Sequence, residues 1–389
     1  MEGKVNTDKV FQGERLKEAR EARGYTIREL TEKIELNNHQ TLSKYENGKA
    51  IPPAEVLYKI MNILDFPFSY FFEKENYDDI NNIVFFRSKA STTAKLKKMH
   101  EIKIEWVIRI FNYLENIVDF PKSDLPQIEA KEPSFFKPRD FEEIEEIALN
   151  MRKEWNLSNG PITDLTHLFE KHGIVVSTID SNDYYVDACS KWVGNRLFIL
   201  VGNEKASPSK IKFTLAHELG HYLLHHNITK EEFNTKNIYK RMEEEANHFA
   251  SAFLLPAEVF STELVTNTMD YYLLLKRRWH VSIQAMIYRS KELNLINEYQ
   301  ASYLWKQISK KGWRTKEPYD DVLLKEKPIL LKEAIELINT HNVKTKVELR
   351  DEVKLSANDI EAIATLPQGY FSQYTGKDNV IFFKKNYST

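Results

Sequence analysis

The segment Phe213-Thr-Leu-Ala-His217-Glu218-Leu-Gly-His221-Tyr-Leu-Leu constrains this chain more than any other. Histidines at i and i+4 stand one turn apart on one helical face, so their imidazoles can converge on a single metal ion. Glu218 lies about 100° round the helix, beside that ion rather than facing it. This placement suits a general base that takes a proton from water. The surrounding residues are apolar, which argues against two solvated histidines on a surface helix. The fold must therefore bury this helix and bring up a further ligand.

The best donor lies in Met242-Glu243-Glu244-Glu245-Ala246-Asn247-His248-Phe249-Ala250. Ala246, Phe249, Ala250, Phe253 and Leu254 form the apolar stripe of a helix over 241–255. Helical rotation puts Glu243 on the edge of that stripe, Glu244 pointing away and Glu245 on the far flank. A carboxylate near a buried stripe is costly unless it is paired or bound to metal. Glu243 is thus expected as the third metal ligand, with Asn247, one turn on, orienting a ligand. Glu244 and Glu245 read as a solvated acidic helix start. His225 follows His221 by four residues, but three histidines climbing one helix cannot all reach one ion, so it is expected to support a ligand or face solvent. His226 and His248 read as surface residues. Tyr184, Tyr185, Tyr271 and Tyr272 are candidate electrophiles that no spacing rule separates, and Cys189 is an isolated small residue.

Composition sets the outer bounds. The 389 residues suffice for two or three domains. Lys+Arg number 55 against Asp+Glu 57, so no global charge commits the chain to nucleic acid or a membrane. The sequence MEGKVNTDKV lacks the apolar core of a secretion signal, and no apolar run approaches the ~18–20 residues of a bilayer span. With Cys189 alone, an intrachain disulfide and a cysteine-built zinc site are both excluded. These bounds predict a cytoplasmic protein with no membrane partner.

Along the chain, residues 10–75 read as short helices. Thr26 and Glu29 form a capping box, Asn47-Gly48 stops a third helix, and Pro52-Pro53 opens a fourth. Residues 76–140 read as a helical connector and linker: 87–103 holds six Lys/Arg against one Glu, and 121–140 contains four prolines. A new domain starts near Phe141 and runs to about 310. Within it, 173–177 and 196–201 are strand-like, and 211–226, 241–255 and 270–310 are helical. Residues 311–389 have no readable role beyond a helix near 330–340 and a strand-like 380–383.

The motif around His217 and His221, followed by Glu243-x-x-Ala-Asn-x-Phe-Ala and Leu254-Leu-Pro, closely resembles the ImmA/IrrE family of zinc metallopeptidases over about 141–296. The resemblance implies one zinc ion held by His217, His221 and Glu243, with Glu218 as the catalytic acid/base. Manganese is an alternative ion, since two histidines and a carboxylate accept several metals. It also implies a substrate peptide lying alongside the strand near 196–201, and a selective role in cutting a repressor or antitoxin-like protein in a stress or phage-related response. Single-stranded DNA is a trigger for some members. Residues 12–66 resemble the XRE (Cro/C1-type) helix-turn-helix domains, through Thr26-Ile-Arg-Glu-Leu, Thr41-Leu-Ser-Lys-Tyr-Glu-Asn-Gly and Pro52. That implies a third helix in the major groove of duplex DNA, with Asn38, His39, Gln40, Ser43 and Lys44 as the contacts. The chain departs from the usual pattern at Ile27, commonly glutamine, and Thr31, usually alanine. Residues 1–64 hold 11 Lys/Arg and 10 Asp/Glu, a weak electrostatic pull on DNA.

The expected fold is multidomain and mainly α with α+β parts. An all-α helix-turn-helix domain (1–75) and the connector (76–140) lead into an α+β zincin-like domain with a small sheet (141–310), then a C-terminal α/β extension (311–389). The function expected first is a DNA-binding regulatory zinc endopeptidase. The alternative is a transcriptional regulator whose metallo-domain senses a ligand or partner without cutting. A helix-turn-helix is also compatible with a homodimer.

Overall fold

The structure, a computed structural model, describes residues 10–74, 83–88, 92–126, 135–179, 186–202 and 206–371. It opens with four helices, α1 (Gly13–Ala22), α2 (Ile27–Lys33), α3 (His39–Glu46) and α4 (Ala54–Leu64). Their starts follow local chemistry. Thr26 and Glu29 make a reciprocal capping box, and Asn38 caps α3 by accepting the Gln40 N–H at 2.8 Å. Leu16, Leu30, Leu42 and Ile60 meet in the interior. A buried ion pair ties α3 to α1: Arg20 Nε donates to Glu46 Oε1 at 2.5 Å and Nη2 to Oε2 at 3.0 Å.

Next come strand β1 (Phe85–Ser88), the long helix α5 (Ala94–Glu115), α6 (Phe141–Glu154) and α7 (Leu165–Lys171), then β2 (Val175–Thr178), β3 (Val186–Val193) and β4 (Arg196–Val201). The sheet order is β1-β3-β4-β2; β1 and β4 run antiparallel to β3, and β2 parallel to β4. The sheet divides two cores. Leu197, Ile199 and Val201 of β4 face one, and Phe198 and Leu200 face the other. A strand buried on both faces needs no polar residue at alternate positions, which is why 196–201 reads as a nearly continuous apolar run.

One face carries α6, α8 (Pro208–His225), α9 (Lys230–Phe233), α10 (Lys236–Leu254), α11 (Ala257–Glu263), α12 (Met269–Trp279), α13 (Ile283–Glu292) and α14 (Glu298–Lys310). Ser207 caps α8, accepting the Lys210 N–H, and Pro208 fills the first helical position, where no N–H is needed. The other face carries α1–α5 and α15 (Leu330–Thr340), α16 (Lys346–Val353) and α17 (Ala357–Ile363). Glu170 accepts the backbone N–H groups of Ile329 and Leu330 at the start of α15. Arg23 pairs with Asp359 at 2.6 Å, joining the first and last helices of this layer.

Three expectations change. The 76–140 stretch is more than a connector: it supplies the edge strand β1 and helix α5, which packs on β3 and β4 because Ile104, Val107, Ile108 and Phe111 bury an apolar face there. The segment 196–201 cannot receive a substrate strand, because β3 and β2 already pair with both edges of β4. The helical region 270–310 is three helices, broken where His280 adopts φ +55° and Asn294 φ +56°. The strand-like 380–383 lies outside the described residues.

Candidate functional site

Helix α8 is buried on nearly every side, under β1, β3 and β4 and against α10. Gly220 lets α10 approach: a Cβ there would stand 3.0 Å from Phe249 Cδ1 and 3.3 Å from the Ala246 Cα. The close crossing brings Glu243 opposite the two histidines. His217 Nε2 and His221 Nε2 are 3.0 Å apart. Glu243 Oε2 lies 3.6 Å from the first and Oε1 3.3 Å from the second. Among the described residues, these three form the group of metal-type donors lying within 4.8 Å of one another.

The hydrogen bonds behind the rings set the tautomers. His217 Nδ1 is 3.0 Å from Asn247 Oδ1, an acceptor, so Nδ1 carries the proton and Nε2 presents its lone pair. His221 Nδ1 faces His225 Nδ1 at 3.0 Å, and His225 Nε2 faces Glu245 Oε2 at 3.2 Å. The carboxylate accepts, so His225 Nε2 is the donor, its Nδ1 accepts from His221 Nδ1–H, and His221 Nε2 is left unprotonated. Two lone pairs and a carboxylate then converge in a buried space. They repel one another unless a cation lies between them, and that donor set fits a divalent ion.

Titration directions agree. Burial, then the charge of Arg87, holds His217 well below its ordinary value and neutral. Burial pulls His225 down to about 4. Burial would raise Glu243, but the polar and positive groups around it, Arg87 among them, outweigh burial and keep the carboxylate ionised. Glu218 is fully buried, and desolvation raises it to about 7. Its Oε2 accepts from Ser190 Oγ on β3 at 2.5 Å, while Oε1 has no hydrogen-bond partner. A buried carboxylate oxygen left open beside a metal-type donor set can receive and return a proton.

Several side chains depart from the sequence reading. Glu245 is buried, not solvated: it also takes the Arg139 N–H and Arg241 Nε at 2.9 Å each. Helix α10 starts at Lys236 rather than 241, so Glu245 is mid-helix and its flank meets α8 and 139–141. His248 is likewise buried, between Glu145 at 3.0 Å and Glu292 at 3.5 Å. His226 is half-buried and stacks on Trp192. Tyr271 donates to the Glu263 carbonyl and Tyr272 to Ser290 Oγ, away from the site. Tyr184 and Tyr185 lie outside the described residues. Among the described residues, the tyrosine that does reach the site is Tyr239, one turn before Glu243 on α10 and donating to the Phe86 carbonyl at 3.0 Å. Its signal was its place four residues before Glu243, visible only once α10 is extended to Lys236. Arg87 of β1 was also missed; its guanidinium lies over Phe213 at 4.9 Å, with Nη1 unpartnered.

On α3, His39, Gln40 and Lys44 are exposed. The Asn38 side chain is occupied in capping, and Ser43 is half-buried, accepting from Asn47 Nδ2 through its carbonyl at 2.7 Å. The described part of the basic stretch is partly self-neutralised, Lys98 pairing with Glu101 at 3.1 Å.

The fold and these two regions define a helix-turn-helix domain followed by an ImmA/IrrE-type domain. Residues 13–76 match the family described as a helix-turn-helix domain, and residues 169–291 match the IrrE N-terminal-like domain. The chain is 38% identical over 63 residues to the HTH-type transcriptional regulator ImmR of Bacillus subtilis (strain 168). That match covers 16% of this chain and 49% of ImmR, so the chain spans about half the length of the curated relative it matches. A solved transcriptional regulator of Mycobacterium tuberculosis is similar at 19% identity, over 48% of this chain and 50% of that one, with a TM-score of 0.29. That similarity bears on neither fold nor function. Among the described residues, no helix is long and apolar enough to cross a membrane.

Proposed function

We propose that this chain is a DNA-binding regulatory zinc endopeptidase. Residues 1–75 bind duplex DNA, 141–310 form the peptidase with help from β1, and α15 and α17 of the 311–389 extension brace the sheet. His217, His221 and Glu243 hold one zinc ion, for which manganese can substitute, and Asn247 orients His217. When bound, the ion supplies Lewis-acid chemistry to water and to a peptide carbonyl. Glu218 Oε1 takes the proton from the attacking water and passes it to the leaving amine nitrogen. Ser190 holds the other carboxylate oxygen, so the proton is handled at one atom. The observation that carries this reading is the open Oε1 of Glu218 beside three converging metal-type donors, two buried histidines and the half-buried Glu243.

The substrate follows from the tethering. A protease attached to a DNA reader acts where a repressor or antitoxin-like protein sits, and cleavage there changes expression in a stress or phage-related response. Asn38, His39, Gln40, Ser43 and Lys44 contact the DNA, and single-stranded DNA is a candidate trigger. A homodimer on two half-sites suits a helix-turn-helix. The test compares host cells carrying wild-type protein with a Glu218→Gln strain, with and without DNA damage, by mapping new protein N-termini. A neo-N-terminus present only with wild type supports a protease and names its substrate. Identical N-termini in all four samples would favour the second reading, a transcriptional regulator that does not cut, which the sequence match to ImmR supports.

A further inference from the structure

Strand β1 lies where the site would be expected to take its substrate. It comes from residues 85–88, upstream of the 169–291 stretch that matches the IrrE N-terminal-like family, yet it closes the edge of β3 directly over the metal-type donors. Phe85 pairs with Ser190, the residue that donates to Glu218. Its ring stacks on Trp192 at 4.8 Å, meets Phe233 at 5.1 Å edge-on and lies 4.9 Å from the His221 ring. The next carbonyl, of Phe86, accepts from Tyr239, which stands one turn before Glu243 on α10. Arg87 is on the same face as Phe85, with Nη1 unpartnered over Phe213.

An extended backbone pairing with a sheet edge uses main-chain hydrogen bonds for affinity and alternate side-chain pockets for specificity. Here the edge, a pocket filled by an aromatic ring and a hydroxyl holding a peptide carbonyl all converge beside Glu218. They are the fittings of a peptide site, and a segment of the same chain occupies them. Resting on the peptidase reading for its chemistry, we propose that β1 is an intramolecular substrate mimic. The peptide that replaces it pairs antiparallel with β3 and carries an aromatic residue opposite Ser190, and the site works only once β1 has left.

The test uses the full-length protein with equimolar zinc and a fluorescein-labelled peptide copying residues 83–88, capped at both ends. Fluorescence anisotropy is expected to show Phe85→Ala binding this peptide at least tenfold more tightly than wild type. Replacing the peptide's first phenylalanine by alanine should abolish the gain. Because Phe85 packs in a core, Arg87→Ala serves as a second opening variant, removing the guanidinium that lies over Phe213 without shortening an apolar side chain, and it should shift affinity in the same direction. Equal affinity for wild type and Arg87→Ala, or indifference to the peptide's aromatic residue, overturns the proposal. Mass spectrometry of the same mixtures, with Glu218→Gln as control, separates the two readings. Tighter binding without cleavage would remove the peptidase and keep the strand. Cleavage of other peptides with no gain in binding would keep the peptidase and remove the strand.

Discussion

His225 Nδ1 lies 3.0 Å from His221 Nδ1, and this contact decides which nitrogen of His221 faces Glu243. The order is imposed from Glu245, 3.2 Å from the far nitrogen of His225. Partners behind a metal-binding histidine typically change metal affinity by about 10–100-fold when removed. Glu245→Gln lets the amide donate as well as accept, which frees His225 to turn its tautomer over. Zinc affinity, read by competition with a chromophoric chelator, is expected to fall by about tenfold. An unchanged affinity would mean that the relay does not set the tautomer of His221.

Glu243→Ala and Glu218→Gln should part company in the same assay. Among the described residues, Glu243 is the carboxylate placed against both Nε2 atoms, at 3.6 and 3.3 Å, so its loss is expected to abolish stoichiometric zinc. Glu218 touches Ser190 and leaves Oε1 open. Its replacement by glutamine should keep zinc within about threefold of wild type while removing cleavage, since proton transfer typically contributes about 10²–10⁴-fold. Zinc lost on Glu218→Gln would move that residue from proton carrier to ligand.

The site was legible in the sequence where a single helix defines it, and illegible where two helices or a sheet edge do. The four-residue spacing of His217 and His221 needs only α8. Glu243 was found through the apolar stripe of α10, but Glu245 and His248 were misjudged because their partners, Arg139, Glu145 and Glu292, come from other elements. β1 escaped because four residues carry little periodicity, and the basic residues around it suggested a solvated stretch. The two-sided burial of β4 explains why 196–201 read clearly as a strand while its closed edges did not.

A pH prediction follows from His248, which joins α10 to α6 and α13. Burial alone would lower its pKa, but the flanking carboxylates of Glu145 and Glu292 outweigh burial and raise it to about 9. Arg289, fully buried and 2.8 Å from Glu145 Oε2, anchors the same cluster. The folded state therefore holds a proton that the unfolded chain releases near pH ~6.5. The stability this supplies is complete below that pH and is lost as pH rises through about 9. Urea unfolding of wild type and His248→Asn should differ most at pH ~6 and converge by pH ~10. A gap that stayed constant across that range would assign His248 a packing role alone.

On the DNA side, Lys44 is exposed late in α3 and Gln40 in its first turn. A lysine reading phosphate weakens binding to all sequences alike, and its loss should flatten the plot of log affinity against log salt by about one unit. A glutamine reading a base edge instead costs ~1–3 kcal/mol on the preferred sequence only. With a duplex selected from a random pool, Lys44→Ala is expected to behave in the first way and Gln40→Ala in the second. Salt slopes identical to wild type for Lys44→Ala would take that residue out of the interface.

Gly220 carries the last prediction, because it sets the distance between the two helices that bear the metal donors. A methyl group there would stand 3.0 Å from Phe249 Cδ1 and 3.3 Å from both the Cα and the carbonyl oxygen of Ala246. Phe249 is fully buried and stacks on Phe253, so the ring has little room to turn aside. In a helix, alanine is intrinsically favoured over glycine by about 1 kcal/mol, which works against the clash. Overpacking typically costs ~1–3 kcal/mol, so the net effect of Gly220→Ala on stability is small or moderately unfavourable. Its effect on metal is larger, since pushing α10 outward carries Glu243 away from both histidines. Zinc affinity should fall by more than tenfold while Tm drops by only a few degrees. A large loss of Tm with zinc affinity intact would show that Gly220 serves packing rather than the placing of Glu243.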